Sequence, residues 1–400
     1  MSSFAYGTLF SGGGLADFAL DAVGGVGKWG IEIETAIAEH YKLNHPTHKI
    51  YNCGVQDINP EELEAVDALH LSPPCQQASI ANNKGVECEN TLAMGDACCR
   101  VIESLHKRGL KYITLENVWG YRHFESFKRI LATLRNLGYI VGYQKLNAAD
   151  FGTPQNRQRL WLRAVLPEYC NCGYQSDLFG SSELDPMMGK SQHLGWYEAL
   201  EPILDDLPDC KLADWQIERL PDRIKDSILV EGKNAAKPPT NRIGSRPSTT
   251  VVADPRLKAV LVDGTPKNWG SFGNPTVTTK TDIEPCLTIR ASQYKKTLKA
   301  ILIERDGANK TSRPRADIEA SPTVRALGGS HHCHQFDAIT GYQVKRLTAN
   351  ALWILQMYGC KSEYRWLPKA SNVAQCRIIG NGVAYLCARA VVESLLEKRN

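Results

Sequence analysis

The chain has no run of apolar residues approaching the roughly 18 to 20 that carry a helix across a bilayer. Its first residues, Met1-Ser2-Ser3-Phe4-Ala5-Tyr6, lack a basic stretch followed by an apolar one. No membrane partner is expected, and a cytoplasmic location is. A disulfide framework is missing too: 13 cysteines are scattered irregularly, Cys98 and Cys99 adjacent, and an odd number cannot all pair. Such usage fits a reducing compartment. A strong charge of one sign is absent, the net value being +4 over 400 residues, so composition alone names no polyanionic partner. With 43% hydrophobic residues the chain is not short of core material, which excludes disorder, and its length suggests two or three compact units.

The charge is unevenly placed. Leu166 to Asp214 holds ten acidic and two basic side chains, whereas Gly232 to Ala300 holds twelve basic and four acidic. The second block suits an anionic partner.

The first 165 residues alternate short β-rich runs with helical periodicity, the pattern of βαβ units and a mostly parallel, doubly wound sheet. Strands are expected near 5–10, 28–33, 49–54, 67–72, 111–117, 139–147 and 159–166, with helices over Leu15 to Val23, Glu34 to His45, Ala93 to Lys107 and Phe124 to Leu137. After Pro167 the grammar changes to Pro, Gly, Ser and Thr with short β-type runs. Proline turns that launch strands recur at Pro247, Pro275, Pro285 and Pro322. Helical patterning returns from about Arg346, with Leu347 to Tyr358 and Val383 to Glu397 on either side of the turn at Ile379-Gly380-Asn381-Gly382. The last helix is amphipathic and suited to close the first α/β unit, which makes 167–345 an insertion.

Several residues carry chemistry. Phe10-Ser-Gly-Gly-Gly14 follows the first strand and opens the first helix, where glycines admit a ligand to the backbone. Such a loop serves nucleotide, dinucleotide or S-adenosylmethionine sites alike, or simply a tight turn. Glu32, near the end of the second strand, is placed to accept hydrogen bonds from ribose hydroxyls. Ser72-Pro73-Pro74-Cys75-Gln76 ends the fourth strand on the edge where open α/β sheets bind ligands, so Cys75 is a candidate nucleophile. Glu116 of Glu116-Asn117-Val118 ends the neighbouring strand and can act there as an acid. Gln155-Asn-Arg157-Gln-Arg159 sets two arginines on one face of the seventh strand. Cys170-Asn-Cys172 and His331-His332-Cys333-His334 offer donor atoms, but without the paired short spacing of zinc modules, and no metal is expected.

In this order the motifs resemble those of the cytosine-C5 DNA methyltransferase family: Phe10 to Gly14, Pro74-Cys75-Gln76, Glu116-Asn117-Val118, Gln155 to Arg159, Arg346-Leu347-Thr348 and Gly380-Asn381-Gly382-Val383. The resemblance implies a Rossmann-like S-adenosylmethionine-dependent methyltransferase domain, residues 1–166 and 346–400, interrupted by a smaller β-rich target-recognition domain at 167–345. It implies methyl transfer to C5 of a cytosine flipped out of double-stranded DNA, through a covalent bond between Cys75 and C6, by a monomer in a restriction-modification setting. Glu116 is then the group at N3. Arg159 and Arg157 hold the base and adjacent phosphates, and Asn117 and Gln155 support the site. For S-adenosylmethionine, and S-adenosylhomocysteine as product, it implies Phe10, Gly12 and Gly14 around the methionine portion, Glu32 at the ribose, and Pro74 as a further cofactor-binding residue. Ile33, Asp57 and Ile58 follow around the adenine, with Asn381 and Val383 on the remaining side. The chain departs from the family pattern at Leu15, where a glycine is common, at Ala78, at Ala351 and Ile354, and at Gly382, where alanine is usual. The alternatives are a relative acting on RNA, a catalytically silent DNA-binding regulator and a dinucleotide oxidoreductase, the last leaving Pro-Cys-Gln unexplained.

Overall fold

The early β-rich runs form one seven-stranded sheet. Its strands are β1 (Phe4–Leu9), β2 (Gly25–Ile31), β3 (Lys49–Tyr51), β4 (Ala68–Leu71), β5 (Tyr112–Asn117), β6 (Ile140–Asn147) and, beyond the short β7 (Gln155–Asn156), β8 (Gln158–Val165). A computed structural model describes residues 3–74, 87–176, 182–189, 192–210, 228–230, 242–243, 248–249, 258–263, 298–302 and 342–396. The sheet order is β3-β2-β1-β4-β5-β8-β6. Neighbours from β3 to β5 run parallel, while β8 runs antiparallel to both β5 and β6. The order reverses between β1 and β4, so the loops leaving those two strands open side by side, which is where such sheets bind ligands.

Both faces of the sheet are covered, which is why its parallel strands read as nearly unbroken apolar runs. Helices α3 (Glu89–His106) and α4 (Glu125–Asn136) supply Val101, Leu105, Phe127, Ile130 and Leu134 to a core shared with Leu69, Leu71, Ile113 and Leu115. Each such side chain contributes roughly 1.5 to 3 kcal/mol by leaving water. On another cluster α1 (Leu15–Asp21) sets Leu20 against Phe4, Tyr6 and Ala68, and the C-terminal helix adds Val392. That helix closes the α/β unit as its amphipathic pattern implies.

The chain divides into two compact units. One comprises Met1–Thr153, Arg157–Gln192 and Gln356–Asn400, the other Pro154–Asn156 and His193–Leu355. Residues 167–192 stay with the α/β unit because the hairpin of β9 (Tyr174–Ser176) and β10 (Ser182–Leu184) brings Leu184 into a cluster with Ile140, Val165 and Leu395. Arg163 also donates to the Asp185 carbonyl at 2.5 Å.

In the second unit β11 (Ile228–Val230), β12 (Arg242–Ile243), β14 (Lys258–Asp263), β15 (Leu298–Leu302) and β16 (Tyr342–Arg346) make an antiparallel sheet, while β13 (Ser248–Thr249) pairs with β7. The strand β13 begins directly after Pro247 in the sequence; Pro247, Pro275, Pro285 and Pro322 themselves lie outside the described residues. Helix α5 (Trp196–Leu200) buries Trp196 and Leu200.

The remaining α-helices among the described residues are α2 (Thr35–Asn44), α6 (Ala349–Gln356), α7 (Asn372–Asn381) and α8 (Tyr385–Leu396). The sequence pattern does not announce α7, which depends on a cap: Ser371 Oγ accepts from the Ala374 N–H at 3.2 Å. Asn372–Leu396 together have the length and mean hydropathy, 1.3, of a bilayer-crossing helix, but 61% of that stretch is buried. Its apolar residues, Ile379, Cys387, Val391 and Leu395 among them, are core residues of the first unit.

Candidate active site

The loop after β1 turns sharply. Phe10 has φ of +57°, a left-handed conformation a bulky side chain rarely adopts, and Gly14 has φ of +82°. Gly13 is required by close approach: a Cβ there would lie 2.5 Å from Ile378 Cγ2 and closer still to the Tyr364 hydroxyl. Hydrogen bonds fix the loop from beneath. Ser11 Oγ accepts from Ile31 N–H at 2.9 Å, Tyr364 Oη donates to the Gly13 carbonyl at 2.8 Å, and His45 Nε2 lies 2.9 Å from the Gly14 carbonyl. Behind His45, the fully buried Asp17 accepts from Tyr41 Oη at 2.6 Å and sits 3.6 Å from His48 Nδ1. Burial pushes the Asp17 carboxyl up, but hydrogen bonds from His48 and Tyr41 and the His45 charge bring it below the usual carboxylate range. Asp21, His45 and His48 hold ligand-type atoms within 4.8 Å of one another. Hydrogen bonds already engage each of them: Asp21 with Tyr6, His45 with Gly14, His48 with Tyr41.

Glu32, just beyond the end of β2, is nine-tenths buried. Its two oxygens accept from the Gly12 N–H at 3.0 Å and the Glu34 N–H at 2.8 Å, which ties the glycine loop to the second strand. Burial lifts its carboxyl above the ordinary range, and those two N–H donors offset part of the rise. Each oxygen keeps a lone pair for a further donor.

Glu116 stands near the end of β5, one residue past the Leu71–Leu115 pair of the β4–β5 ladder, and is buried. Arg159 Nε is 3.1 Å from its Oε1 and Arg157 Nη2 is 3.9 Å away. The two arginines differ. Arg157 is 3% exposed and donates to the carbonyls of Gly380 at 3.1 Å and Gly382 at 2.9 Å, whereas Arg159 is 18% exposed. Asn117 Nδ2 donates to the Pro73 carbonyl at 3.0 Å, holding the start of the Pro73-Pro74 turn against β5.

These groups surround one cavity of about 380 Å³ in the first unit. Phe10, Gly12, Glu32, Ile33, Pro74, Asn381 and Val383 line it, as do Glu116, Asn117, Arg157 and Arg159. Gly14 is not among the lining residues. Asp57 and Ile58 are not among the lining residues; past β3, which ends at Tyr51, Cys53, Gly54, Val55 and Gln56 line the cavity, and Ile58 packs on the core. Gln155 does not line the cavity either; it is fully buried in β7, in the second unit. Cys75 and Ala78 lie outside the described residues, as do His331 to His334. Cys170 and Cys172 bring their sulfurs to 3.5 Å, with burial pushing the Cys172 thiol up to about 11.

Sequence reasoning missed His70. It lines the cavity from β4, its Nδ1 2.9 Å from Thr114 Oγ1 and its Nε2 2.9 Å from Ser72 Oγ, and burial pulls it down to about 4. A histidine two residues before Ser72-Pro73 on a strand was the available signal. Arg377 was missed as well; it lines the cavity and pairs with Glu34, across more than 340 residues of sequence.

Chemically the cavity offers a carboxylate and backbone carbonyls for hydroxyl and amino groups, an apolar wall, and a carboxylate–guanidinium pair for a polar heterocycle. Comparison with known proteins agrees. The model of the C-5 cytosine-specific DNA methylase family matches residues 4–397. "Type II methyltransferase M2.ScrFI" of Lactococcus lactis subsp. cremoris is 36% identical over 118 residues, covering 28% of this chain and 32% of that protein. "Type II methyltransferase M.HgiBI" of Herpetosiphon aurantiacus is 31% identical over 226 residues, 55% of this chain and 47% of that protein. The chain thus spans about a third to a half of the length of these relatives. Among solved structures, a mutant of Spodoptera frugiperda DNMT2 has a similar fold, with a TM-score of 0.60 and 14% identity over 98% of this chain and 99% of that one. S. pombe Dnmt2 methyltransferase follows at a TM-score of 0.56 and 14% identity over 98% of each. With the family model matching almost end to end, the chain belongs to the C-5 cytosine-specific DNA methylase family.

Proposed function

We propose that the protein transfers a methyl group from S-adenosylmethionine to C5 of a cytosine flipped out of double-stranded DNA, with Cys75 as nucleophile. The observation that carries this reading is the single cavity joining Phe10, Gly12 and Glu32 to the Glu116–Arg159 pair. One part has the groups to hold a nucleoside cofactor, and the other has those to hold a pyrimidine.

S-adenosylmethionine, held by the Phe10–Gly12 loop, Glu32, Ile33 and Val383, supplies an electrophilic sulfonium methyl. C5 of cytosine is a weak nucleophile, and the chain's own residues correct that. The Cys75 thiolate adds to C6, breaking the C5–C6 double bond and sending its electrons toward C5 as N3 takes a hydrogen bond or proton from Glu116. Arg159 steadies Glu116 and the base. After transfer, loss of the C5 proton restores the double bond and expels the thiolate. Asn117 acts through position, since its bond to the Pro73 carbonyl fixes the segment that precedes Cys75 in the sequence. The target atom is inaccessible in a stacked duplex, hence the flipping.

Sequence choice resides in the part of the insertion that forms the second unit, residues 193–345, whose basic block meets phosphates that position the protein without reading bases. The experiment is sequencing that reports 5-methylcytosine in DNA from cells expressing the chain. Methylation at one recurring sequence, lost in Cys75→Ala, is expected; unmodified cytosine throughout refutes the reading.

A further inference from the structure

Two residues that line the cavity, Leu15 and Gly382, compete for one space. Gly382, at the C-cap of α7, has φ of −73° and ψ of 173°, ordinary extended backbone that any residue adopts. Nothing in its conformation asks for glycine. Its neighbour does: a Cβ on Gly382 would stand 2.9 Å from Leu15 Cβ and 3.0 Å from Cγ, and closer still to Cδ2. Leu15 cannot swing aside freely, being 2% exposed at the first position of α1. Both residues line the cavity.

Each side of this contact is anchored. The Gly382 carbonyl accepts from Gln356 Nε2 at 2.6 Å and from Arg157 Nη2 at 2.9 Å. The start of α1 is held through the Gly13 and Gly14 carbonyls by Tyr364 and His45. A methyl group added at 382 therefore cannot be relieved by the end of α7 without breaking bonds to a buried guanidinium, nor by the loop without disturbing its own bonds. The isobutyl group of Leu15 fills the notch that the missing Cβ leaves.

We propose that Leu15 and Gly382 are a reciprocal steric pair that joins the glycine loop to the C-terminal end of α7 and sets the fit of the cavity, with Leu15 a positioning residue for Asn381 and Val383. The proposal rests on reading the cavity as the S-adenosylmethionine site. Bulk at one position excludes bulk at the other, so the two residues must change together.

The test is a double-mutant cycle on the full chain, using Gly382→Ala, Leu15→Ala and the pair, with S-adenosylhomocysteine titrated calorimetrically and unfolding followed in parallel. Gly382→Ala should weaken binding at least tenfold and raise KM for S-adenosylmethionine by a larger factor than it lowers kcat. Leu15→Ala should weaken binding a few-fold by leaving a void. The double variant should bind within about threefold of the parent, better than Gly382→Ala alone. Additive losses in the double variant, or a Gly382→Ala protein that binds like the parent, overturn the pair. Unfolding midpoints separate the two ideas: absence of binding by the parent removes the cofactor reading, whereas the coupling between 15 and 382 is still read in the midpoints. Independent midpoint losses then overturn the pair as well.

Discussion

Arg157 and Arg159 are separated by one residue, and their variants should fail in opposite ways. Removing the Arg157 guanidinium with Arg157→Met keeps an apolar stem but deletes two charged-donor hydrogen bonds, to Gly380 at 3.1 Å and Gly382 at 2.9 Å. Bonds of that kind contribute about 1.5 to 3 kcal/mol each, and a buried carbonyl left without its donor costs about 1 to 3 kcal/mol. The Gly382 carbonyl keeps Gln356 as a donor, which moderates the total. The sum is a loss of roughly 3 to 5 kcal/mol, a fall in melting temperature on the order of 10 °C for a unit of this size. Because the end of α7 and the residues after it, Gly380 to Val383, line the cavity, cofactor affinity should fall with it. Arg159→Met removes the nearer partner of the buried Glu116, which keeps Arg157 at 3.9 Å, so the stability loss should stay below that of Arg157→Met, at about 1 to 2 kcal/mol, while methyl transfer is lost. Differential scanning calorimetry with cofactor titration of both variants decides it. Equal destabilisation by the two, or an Arg157→Met protein as stable as the parent, refutes the division of labour.

Further consequences are measurable. Glu32→Ala removes the acceptor of the Gly12 and Glu34 N–H groups and the proposed ribose partner; S-adenosylmethionine affinity in a calorimetric titration should fall on the order of 10- to 100-fold while DNA binding by filter assay persists. Unchanged affinity removes Glu32 from the cofactor site. His70 in the folded chain takes a proton only near pH 4, against 6.5 ordinarily, so unfolding takes up a proton between those values. Stability should therefore be lost as pH falls from about 6.5 to 4, by roughly 3 kcal/mol from this group, and level off below. Denaturant titrations of His70→Asn at pH 7 and pH 4.5 should show a shallower decline; a decline as steep as the parent's contradicts a neutral buried imidazole.

The fold was legible because periodicity of two alternating with 3.6 is written by burial, and both faces of the sheet are buried. The antiparallel β8 was not, since strand direction leaves no mark on the apolar pattern. Phe10, Gly12, Glu32, Glu116 and Pro74 come together because the strand ends that carry them flank the reversal between β1 and β4. Asp57 and Ile58 missed the cavity because β3 stops at Tyr51 and the following turn presents Cys53 to Gln56 instead. The role of Arg157 was hidden for another reason: its partners, Gly380 and Gly382, lie more than 220 residues away, and a hydrogen bond to a carbonyl carries no side-chain signal. Leu15 and Gly382 read as two unrelated departures until their distance is known, and then become one.

The central claim is the covalent bond between Cys75 and cytosine C6, and 5-fluorocytosine tests it most directly. Duplex DNA carrying it at the methylated position allows attack and methyl transfer, but fluorine cannot leave as a cation, so the elimination that frees the thiolate is blocked. The protein should remain joined to DNA through denaturing electrophoresis, only with S-adenosylmethionine present. Mass spectrometry should place the link on the peptide containing Pro74-Cys75-Gln76, and Cys75→Ala should form none. A crosslink at another cysteine, or full methylation by Cys75→Ala, contradicts the account.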